Sequence, residues 1–259
     1  MPEGDTIRYA ANRMQPVLVG AVPEAILTPQ RRHARDRWPQ RLAGRAIRAV
    51  ETHGKHLFLR FDGGLTVHSH LRMTGAWAVH ERGRPWRRSP RRAWLVLRTP
   101  THEVVEFDGP VLELMTDSRT RFDQRLAGLG PDVLAEPEFD GERFLRRLRE
   151  DDPLRPFGDA LLDQRTVAGI GNIWRAEACW EAGIDPHRRS REVSDEEALA
   201  AVAAVRPRMQ RSARDGRRVR ADRVYNRAGR PCPRCGERIE ARGLGDDART
   251  AYWCPGCQR

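Results

Sequence analysis

The sequence predicts an α+β protein of two domains, on three observations. Short apolar stretches, separated by Gly and Pro turns, fill the first half of the chain and predict antiparallel strands. Apolar residues at helical spacing fill the second half. Two pairs of cysteines stand near the C-terminus. With 259 residues, 39 % of them apolar, the chain is long enough for one large domain or two ordinary ones with real cores.

The first half is predicted to begin with a helix over residues 5–18, with Asp5 or Thr6 as its N-cap. A β-rich stretch follows, in which two strand pairs are separated by turn residues. Several short antiparallel strands of this kind predict a β-sandwich. The pairs are 57–59 with 65–67 across Asp62-Gly63-Gly64, and 93–97 with 104–107 across Thr99-Pro100.

The second half is predicted to be helical. Residues 157–167 and 173–182 show helical periodicity, and a third helix begins at Ser194, where Glu197 completes a capping box, and runs to about Met209. A polar, proline-punctuated stretch precedes these helices and predicts the link between domains. The expected bounds are an N-terminal domain over 1–130, a linker over 131–152, a helical domain over 153–222 and a C-terminal module over 223–259.

The charge balance points to a polyanionic partner. Lys plus Arg number 47 against 36 for Asp plus Glu, which gives a net charge of +11 and makes nucleic acid the leading candidate. No run of 18 apolar residues, signal peptide or lipidation motif is found, so we expect no membrane association and a cytoplasmic, nucleoid-associated protein. Residues 206–230 carry ten Arg against two Asp, and form either a solvated linker or a segment that follows phosphates.

Only one of the cationic residues is a lysine, Lys55. An arginine bias can follow from the coding composition of a genome, but that bias does not explain why one lysine is kept. An ammonium group is a compact point charge and a titratable amine, which an arginine cannot replace. Lys55 is therefore a candidate functional residue.

The cysteines give the strongest single signal. Cys232 and Cys235, then Cys254 and Cys257, form two Cys-x2-Cys pairs separated by 18 residues, a spacing typical of a zinc ribbon. The alternative, two disulfides, is disfavoured in an intracellular chain. We expect one structural Zn²⁺, and we expect the fifth cysteine, Cys179, to be a buried apolar residue.

Two further patterns are ambiguous when taken alone. Gly169-Ile170-Gly171-Asn172 could aim a helix N-terminus at a phosphate, although an ordinary helix connection with a C-cap glycine is the simpler interpretation. If Met1 is removed, Pro2 carries a free secondary amine that can attack an electrophilic carbon, and Glu3 can move a proton for it. The alternative is that these residues merely begin a helix.

Together these blocks resemble the formamidopyrimidine-DNA glycosylase and endonuclease VIII family of base-excision repair enzymes, and the endonuclease VIII branch in particular. The resemblance extends in order along nearly the whole chain. Its blocks are Pro2-Glu3-Gly4, Gly54-Lys55-His56-Leu57, residues 69–75 (Ser-His-Leu-Arg-Met-Thr-Gly), Leu161-Leu162-Asp163-Gln164, residues 169–173, Val224-Tyr225 and residues 249–258.

The resemblance implies an N-terminal β-sandwich flanked by helices, and a helical helix-two-turn-helix domain with a zinc β-hairpin. It also implies that the chain works as a monomer on double-stranded DNA that contains damaged bases or abasic sites. The implied catalytic residues are Pro2 as Schiff-base nucleophile, Glu3 as acid and base, Lys55 in strand cleavage, and Arg249 on phosphates around the damaged nucleotide.

The DNA-binding residues that the resemblance implies are Asn172 and His70 on phosphates, and the Arg72-Met73 pair. Met73 resembles an apolar wedge that fills the gap left by a flipped base, with a core methionine on a strand as the alternative. One departure is that family members commonly have Pro-Glu after position 4. This chain has Asp5-Thr6 there, which leaves open whether Asp5 replaces the acidic side chain missing at position 6.

The implied function is a bifunctional DNA glycosylase and abasic-site lyase that removes oxidised bases through a Pro2 Schiff base and β,δ-elimination. Family members that excise oxidised purines resemble one another in a Pro-Glu-Leu start, an Arg-Arg-Phe segment and a long loop that covers the flipped purine. This chain begins Pro-Glu-Gly, residues 106–109 contain no Arg-Arg-Phe segment, and residues 212–223 leave little room for such a loop. The resemblance therefore implies that oxidised pyrimidines are preferred. The alternatives are a glycosylase specific for 8-oxoguanine and formamidopyrimidine, and a catalytically silent zinc-ribbon DNA-binding protein.

Overall fold

The computed structural model describes residues 2–30, 33, 36–216 and 222–259. The predictions that involve Met1 and the middle of the arginine-rich segment, residues 217–221, lie outside the described residues. The chain divides into two compact units, the first made of Pro2 and Thr6–Ala127 and the second of Glu3–Asp5 and Gly128–Arg259. Within the described ranges, no helix is both long enough and apolar enough to cross a bilayer.

The first unit is a β-sandwich, as predicted. Its strands are β1 Ala25–Leu27, β2 Ile47–His53, β3 His56–Phe61, β4 Leu65–His70, β5 Ala76–Glu81, β6 Ala93–Arg98, β7 His102–Phe107 and β8 Val111–Thr116. They form two antiparallel four-stranded sheets, with the orders β2-β3-β4-β8 and β1-β6-β7-β5. Leu59 and Val67 of one sheet and Leu97 and Val104 of the other belong to one buried core.

The predicted β3–β4 hairpin is confirmed. Phe61 pairs with Leu65, which leaves a three-residue loop in which Gly63 and Gly64 both have positive φ (74° and 71°). Only glycine adopts that backbone region at low cost, so the Asp-Gly-Gly sequence itself specifies the turn. The helices of this unit are α1 Gly4–Leu18, whose first two residues belong to the second unit, α2 Trp38–Leu42, α3 Asp117–Phe122 and α4 Gln124–Ala127.

The predicted N-cap of α1 is wrong, because Asp5 and Thr6 both lie inside the first helical turn. The helix begins one residue earlier, at Gly4, whose N–H donates to the carbonyl of Gly169 (2.9 Å). The carboxylate of Asp5 accepts from the hydroxyl of Ser212 (2.6 Å), which is a contact outside its own helix.

The second unit is helical and ends in a β-hairpin, as predicted. The last helix follows Ser194, which forms the predicted capping box with Glu197, and it continues past Met209 to Asp215. The helices are α5 Gly141–Glu150, α6 Phe157–Ala160, α7 Asn172–Ala182 and α8 Asp195–Asp215, and the hairpin strands are β9 Glu240–Leu244 and β10 Arg249–Trp253.

Two predictions for this unit differ from the structure. Residues 131–152 are not an extended linker, because α5 lies within them and buries Phe144 and Leu148 in the core of the unit. These two apolar residues stand one helical turn apart among charged ones, so α5 presents a narrow apolar face. The helix predicted over 157–167 ends at Ala160, and turns follow it.

Candidate functional site

The carboxylate of Glu3 is buried at the start of α7. It accepts hydrogen bonds from the backbone N–H groups of Gly171 (3.1 Å), Ile173 (2.9 Å) and Trp174 (3.2 Å). The first N–H groups of a helix have no partner within the helix, and this end carries partial positive charge, so a carboxylate here is strongly favoured. These three N–H groups therefore hold an internal carboxylate rather than a phosphate.

Gly171 and Gly4 are required because other atoms lie too close to their Cα atoms to leave space for a side chain. A Cβ added to Gly171 would lie 2.4 Å from Cδ of Glu3, and one added to Gly4 would lie 2.9 Å from Cα of Gly169. Gly169 has a φ of 104° and stands well past the end of α6 at Ala160, so it is not the C-cap of that helix. Glu3 and the glycine-bearing turn, which the sequence presents as two separate motifs, are thus parts of one arrangement.

Asp5 adds a second buried carboxylate to the same unit. One of its oxygens accepts from Ser212 (2.6 Å), and the other has no hydrogen-bond partner among the described residues. An unpartnered buried carboxylate oxygen is costly, and such groups are concentrated at functional sites. Asp5, which directly precedes Thr6, therefore has a buried carboxylate oxygen that can accept a further hydrogen bond.

Asn172, the first residue of α7, contacts the C-terminal hairpin. Its side-chain amide donates to the carbonyl of Thr250 (3.1 Å), and its oxygen accepts from the guanidinium of Arg175. Arg175 is fully buried and also donates to the carbonyls of Thr250 (2.7 Å) and Arg249 (3.4 Å). These bonds fix the backbone of Arg249, whose side chain is 45 % exposed and pairs with Asp247 (3.2 Å).

The four cysteines of the two pairs lie close enough together that they could bind one metal ion. Their sulfur atoms all lie within 4.8 Å of one another, with Cys232 to Cys257 at 3.9 Å and Cys235 to Cys254 at 3.4 Å. Tetrahedral thiolate coordination at a metal–sulfur distance of about 2.3 Å places sulfur atoms about 3.8 Å apart. The cysteines are free thiols, so the disulfide alternative is wrong, and the donor set fits a closed tetrahedral ion. Cys179 is fully buried, as predicted.

One cysteine is prepared for coordination by its neighbours. Although burial raises it, the pKa of Cys232 falls to about 6, because the N–H of Arg234 (3.4 Å) and the indole N–H of Trp180 (3.3 Å) donate to its sulfur. Such N–H···S bonds stabilise the thiolate, which is the form that binds metal. Trp180 belongs to α7, so the helix that carries Asn172 also supports the metal site.

The first unit holds a polar cluster on the sheet that contains β3, β4 and β8. Nδ1 of His56 lies 2.8 Å from Nε2 of His68, and Nδ1 of His68 lies 3.1 Å from Glu113, which also accepts from Arg125 (3.0 Å). Lys55 lies in the β2–β3 turn and directly precedes His56. We refer to His56, His68, His70 and Glu113 as the histidine cluster.

The imidazoles of His56 and His70 are neutral at physiological pH. Burial lowers the pKa of His56 to about 2, and the nearby His70 and His68 add to the effect. Burial, Arg72 and Lys55 lower the pKa of His70 to about 4. Nδ1 of His70 accepts from the N–H of Arg72 (3.2 Å), so its hydrogen sits on Nε2. His70 can therefore meet a phosphate as a neutral hydrogen-bond donor.

Residues 71–75, which we call the Met73 turn, join β4 to β5. The turn is closed by a hydrogen bond from the N–H of Gly75 to the carbonyl of Leu71 (2.9 Å), and Arg72 has a φ of 47°. Met73 is 65 % exposed, so the alternative of a core methionine on a strand is wrong. An exposed apolar side chain at the tip of a fixed turn is suited to insertion between bases.

The sequence analysis did not identify three features of these sites. Glu177 of α7 is a buried carboxylate that accepts from the backbone N–H groups of Arg223, Val224 and Tyr225 (3.0–3.1 Å). The histidine cluster depends on β8, which the sequence did not predict, and on the register that places Glu113 opposite His68. Arg175 looks like any other arginine in a chain with 46 of them. Only the histidines had a usable signal, since His68 and His70 share one face of a strand.

Comparisons with known proteins cover the whole chain. The formamidopyrimidine-DNA glycosylase N-terminal domain matches residues 1–123, and the formamidopyrimidine-DNA glycosylase H2TH domain matches residues 129–222. A probable endonuclease 8 2 of Streptomyces coelicolor is 40 % identical, over 100 % of this chain and 94 % of its own length. The DNA-(apurinic or apyrimidinic site) lyase Nei2 of Mycolicibacterium smegmatis is 35 % identical, over 100 % and 99 % of the two chains.

Solved structures share the fold of this chain. Lactococcus lactis Fpg in complex with DNA containing an abasic site superposes with a TM-score of 0.84 at 21 % identity, and both chains are covered completely. The same protein in complex with DNA containing an oxidized pyrimidine gives a TM-score of 0.83 at 22 % identity, again over both complete chains. The expected fold is therefore confirmed over the full length.

Proposed function

Since the chain belongs to the formamidopyrimidine-DNA glycosylase and endonuclease VIII family, on the endonuclease VIII branch, we propose that it is a bifunctional DNA glycosylase and abasic-site lyase of base-excision repair. The observation that carries this proposal is the position of Glu3. Its carboxylate is held by three backbone N–H groups and follows directly after Pro2, whose nitrogen becomes a free amine when Met1 is removed.

The reaction follows from these two groups. A damaged base turns out of the duplex, the lone pair of the Pro2 nitrogen forms a bond to the sugar C1′, and the bond from C1′ to the base breaks. The base leaves with the bonding electron pair and takes up a proton. Opening of the sugar ring gives an iminium cation, and the ring oxygen receives a proton. We assign the proton transfers at this nitrogen and at the sugar to Glu3, the next residue in the chain.

Strand cleavage uses the acidity that the iminium creates. Loss of a proton from C2′ sends electrons toward the iminium and expels the 3′ phosphate, which is β-elimination. A second proton loss, from C4′, expels the 5′ phosphate, which is δ-elimination. We assign the phosphate contacts to Lys55, His70, Asn172 and Arg249, the last held against α7 through its backbone carbonyl. The basic surface of the chain supplies binding that does not depend on sequence.

Borohydride trapping tests this function. Reduction of the iminium should produce a covalent protein–DNA adduct with a duplex that carries an abasic site. A variant with an N-terminal extension that cannot be removed turns the Pro2 nitrogen into an amide and should give no adduct, although it keeps Glu3 and Lys55. Undiminished trapping by the extended variant would contradict amine chemistry at Pro2. A processed protein that binds the duplex without trapping would be the silent DNA-binding protein instead.

We propose that the metal is one structural Zn²⁺. Support comes from the four-thiolate donor set, which leaves no open position for substrate, and from the hairpin that links it to Arg249. When bound, zinc stabilises the hairpin rather than supplying reaction chemistry. Metal analysis should find one zinc per chain, and Arg249→Ala should lose DNA cleavage while it keeps its zinc and its fold. Active protein without zinc would refute this assignment.

We propose that oxidised pyrimidines are preferred over 8-oxoguanine. Support comes from the turn between β7 and β8, because its residues, Asp108, Gly109 and Pro110, include neither the arginines nor the phenylalanine of an Arg-Arg-Phe segment. Single-turnover excision should be compared on matched duplexes with thymine glycol, 5-hydroxyuracil or 8-oxoguanine opposite cytosine. Faster excision of 8-oxoguanine than of both pyrimidines would overturn the preference but not the reaction.

A further inference from the structure

The loop that joins β5 to β6 has a high density of positive charge. Residues 82–92, which we call the arginine loop, contain six arginines in eleven positions and no acidic residue. Most of the loop is exposed, with only Trp86 and Arg88 partly buried. A chain rich in arginine has basic patches by chance, so charge alone assigns no role. The contacts that hold this loop in place are the stronger evidence for a role in binding.

The arginine loop is a fixed structure and not a free tether. The indole N–H of Trp86 donates to Glu103 (2.8 Å), and its ring meets Phe107 edge-on with centroids 5.6 Å apart. At the other end, the side-chain amide of Gln30 donates to the carbonyls of Arg91 (3.2 Å) and Ala93 (3.1 Å). A loop anchored at both ends loses little conformational entropy when its arginines bind an anion.

The same loop supports the Met73 turn. A guanidinium nitrogen of Arg88 lies 3.4 Å from the carbonyl of Thr74, and the hydroxyl of Thr74 donates to the carbonyl of Asp108 (3.2 Å). The carboxylate of Asp108 in turn pairs with Arg88 (3.4 Å) and Arg92 (2.5 Å). The arginine loop and the Met73 turn are therefore adjacent parts of one surface within the first unit.

The six arginines divide into two groups by their partners. Four pair with acidic side chains: Arg82 with Glu24, Arg84 with Glu81, and both Arg88 and Arg92 with Asp108. In the described part of the chain, Arg87 and Arg91 belong to no ion pair, and both are exposed. The paired arginines shape and anchor the loop, while Arg87 and Arg91 present charge that the protein does not neutralise.

We propose that the arginine loop is a DNA-binding surface, on which Arg87 and Arg91 contact backbone phosphates of the duplex beyond the damaged nucleotide. The proposal rests on the proposed function, because the adjoining Met73 turn is the part to which the family resemblance assigns insertion into the duplex. Arginine suits this role because its planar guanidinium forms paired hydrogen bonds to phosphate oxygens. The contacts add affinity and carry no sequence information.

The salt dependence of binding tests the loop. Log K falls as log salt rises, and each phosphate contact contributes about 0.9 to the magnitude of this negative slope, so Arg87→Gln/Arg91→Gln should make the slope shallower by about 2. The probe is a duplex with a tetrahydrofuran abasic analogue, titrated between roughly 50 and 300 mM salt. The matched control is Arg119→Gln/Arg121→Gln, which removes the same charge from exposed positions on α3. The control should leave the slope unchanged.

A charge-preserving variant and the unaltered protein complete the design. Arg87→Lys/Arg91→Lys should restore the slope, and all variants should melt at the temperature of the unaltered protein because these side chains are exposed. Equal slopes for the loop variant and the unaltered protein, or equal losses in loop variant and control, would overturn the proposal. If the unaltered protein is trapped by borohydride, such a result leaves the proposed function standing; if it is not, the function itself fails.

Discussion

Glu3 and His68 are both buried polar groups, but their hydrogen-bond partners are of different kinds. Glu3 accepts three hydrogen bonds from the backbone at the start of a helix. His68 is bonded to His56 and Glu113, two side chains that themselves titrate. Backbone donors keep their protons at every physiological pH, whereas a titrating partner can change charge. The hydrogen bonds of Glu3 should therefore be broken by a steric change near the carboxylate, whereas the histidine cluster should be destabilised by a lower pH.

Gly171→Ala should produce the largest effect, because the added methyl group would occupy the space of the Glu3 carboxylate. The added Cβ would lie 2.4 Å from Cδ of Glu3, so the carboxylate must leave its three donors. We expect the free energy of unfolding to fall by about 3 kcal/mol or more, and single-turnover excision to fall at least about 100-fold. Urea unfolding and excision kinetics measure the two effects.

Gly20→Ala is the control for this substitution. Gly20 has a φ of 82° and nothing within 4 Å of an added Cβ, so this variant carries backbone strain alone. It should lose about 1 kcal/mol and keep its excision rate. An unimpaired excision rate in Gly171→Ala would show that the position of Glu3 does not matter for the reaction.

Glu177→Ala should have the next largest effect. Glu177 is a second carboxylate that accepts hydrogen bonds from backbone N–H groups, so the variant tests whether such an arrangement stabilises the fold. The change leaves the N–H groups of Arg223, Val224 and Tyr225 without their acceptor, and it removes one of the carboxylates that pair with Arg208 (3.0 Å). We expect a loss of about 2–3 kcal/mol by urea unfolding at neutral pH. A loss below about 0.5 kcal/mol, the range of ordinary surface changes, would mean that these bonds do not anchor the segment.

Acid should destabilise the histidine cluster, with the smallest effect of the three. The pKa of His56 is near 6.5 in the unfolded chain and about 2 in the folded protein, so the unfolded chain binds more protons between these values. Stability is therefore full above about pH 6.5 and falls as the pH drops, by roughly 2 kcal/mol at about pH 5 for this one group. Unfolding of the protein at about pH 7.5 and about pH 5 measures the difference.

His56→Gln should reduce this loss, because it removes a titrating ring and keeps a hydrogen-bonding side chain beside His68. His102→Gln is the control, since it removes an imidazole on β7 outside the histidine cluster, and its acid sensitivity should match that of the unaltered protein. If His56→Gln loses as much stability in acid as the unaltered protein, the cluster is not the origin of the pH dependence.

The sequence predicted correctly those features that depend on residues close together in the chain. The Asp62-Gly63-Gly64 turn, the capping box at Ser194 and the two cysteine pairs each depend on residues within a few positions of one another. The contact of Glu3 with Gly171 joins residues 168 positions apart, and nothing near Glu3 in the sequence indicates its partner. The family resemblance named both motifs but not the bonds between them.

The histidine cluster and α5 were missed for a related reason. Glu113 faces His68 only because β8 pairs with β4, and that register is a long-range property of the sheet. In α5, the apolar face of Phe144 and Leu148 is hidden among charged residues, so composition favoured a linker where tertiary packing makes a helix. Tertiary contacts, and not propensity, decide both cases.

The central claim, chemistry at the Pro2 amine, is tested most directly by locating the covalent bond in the borohydride-trapped complex. The chain offers few amines for such a bond, since Lys55 is its only lysine and the N-terminal nitrogen is the other candidate. Proteolysis followed by peptide mass mapping distinguishes them. We predict that the DNA remnant is attached to the N-terminal peptide, at the nitrogen of Pro2. A remnant on Lys55, or on a retained Met1, would contradict the account.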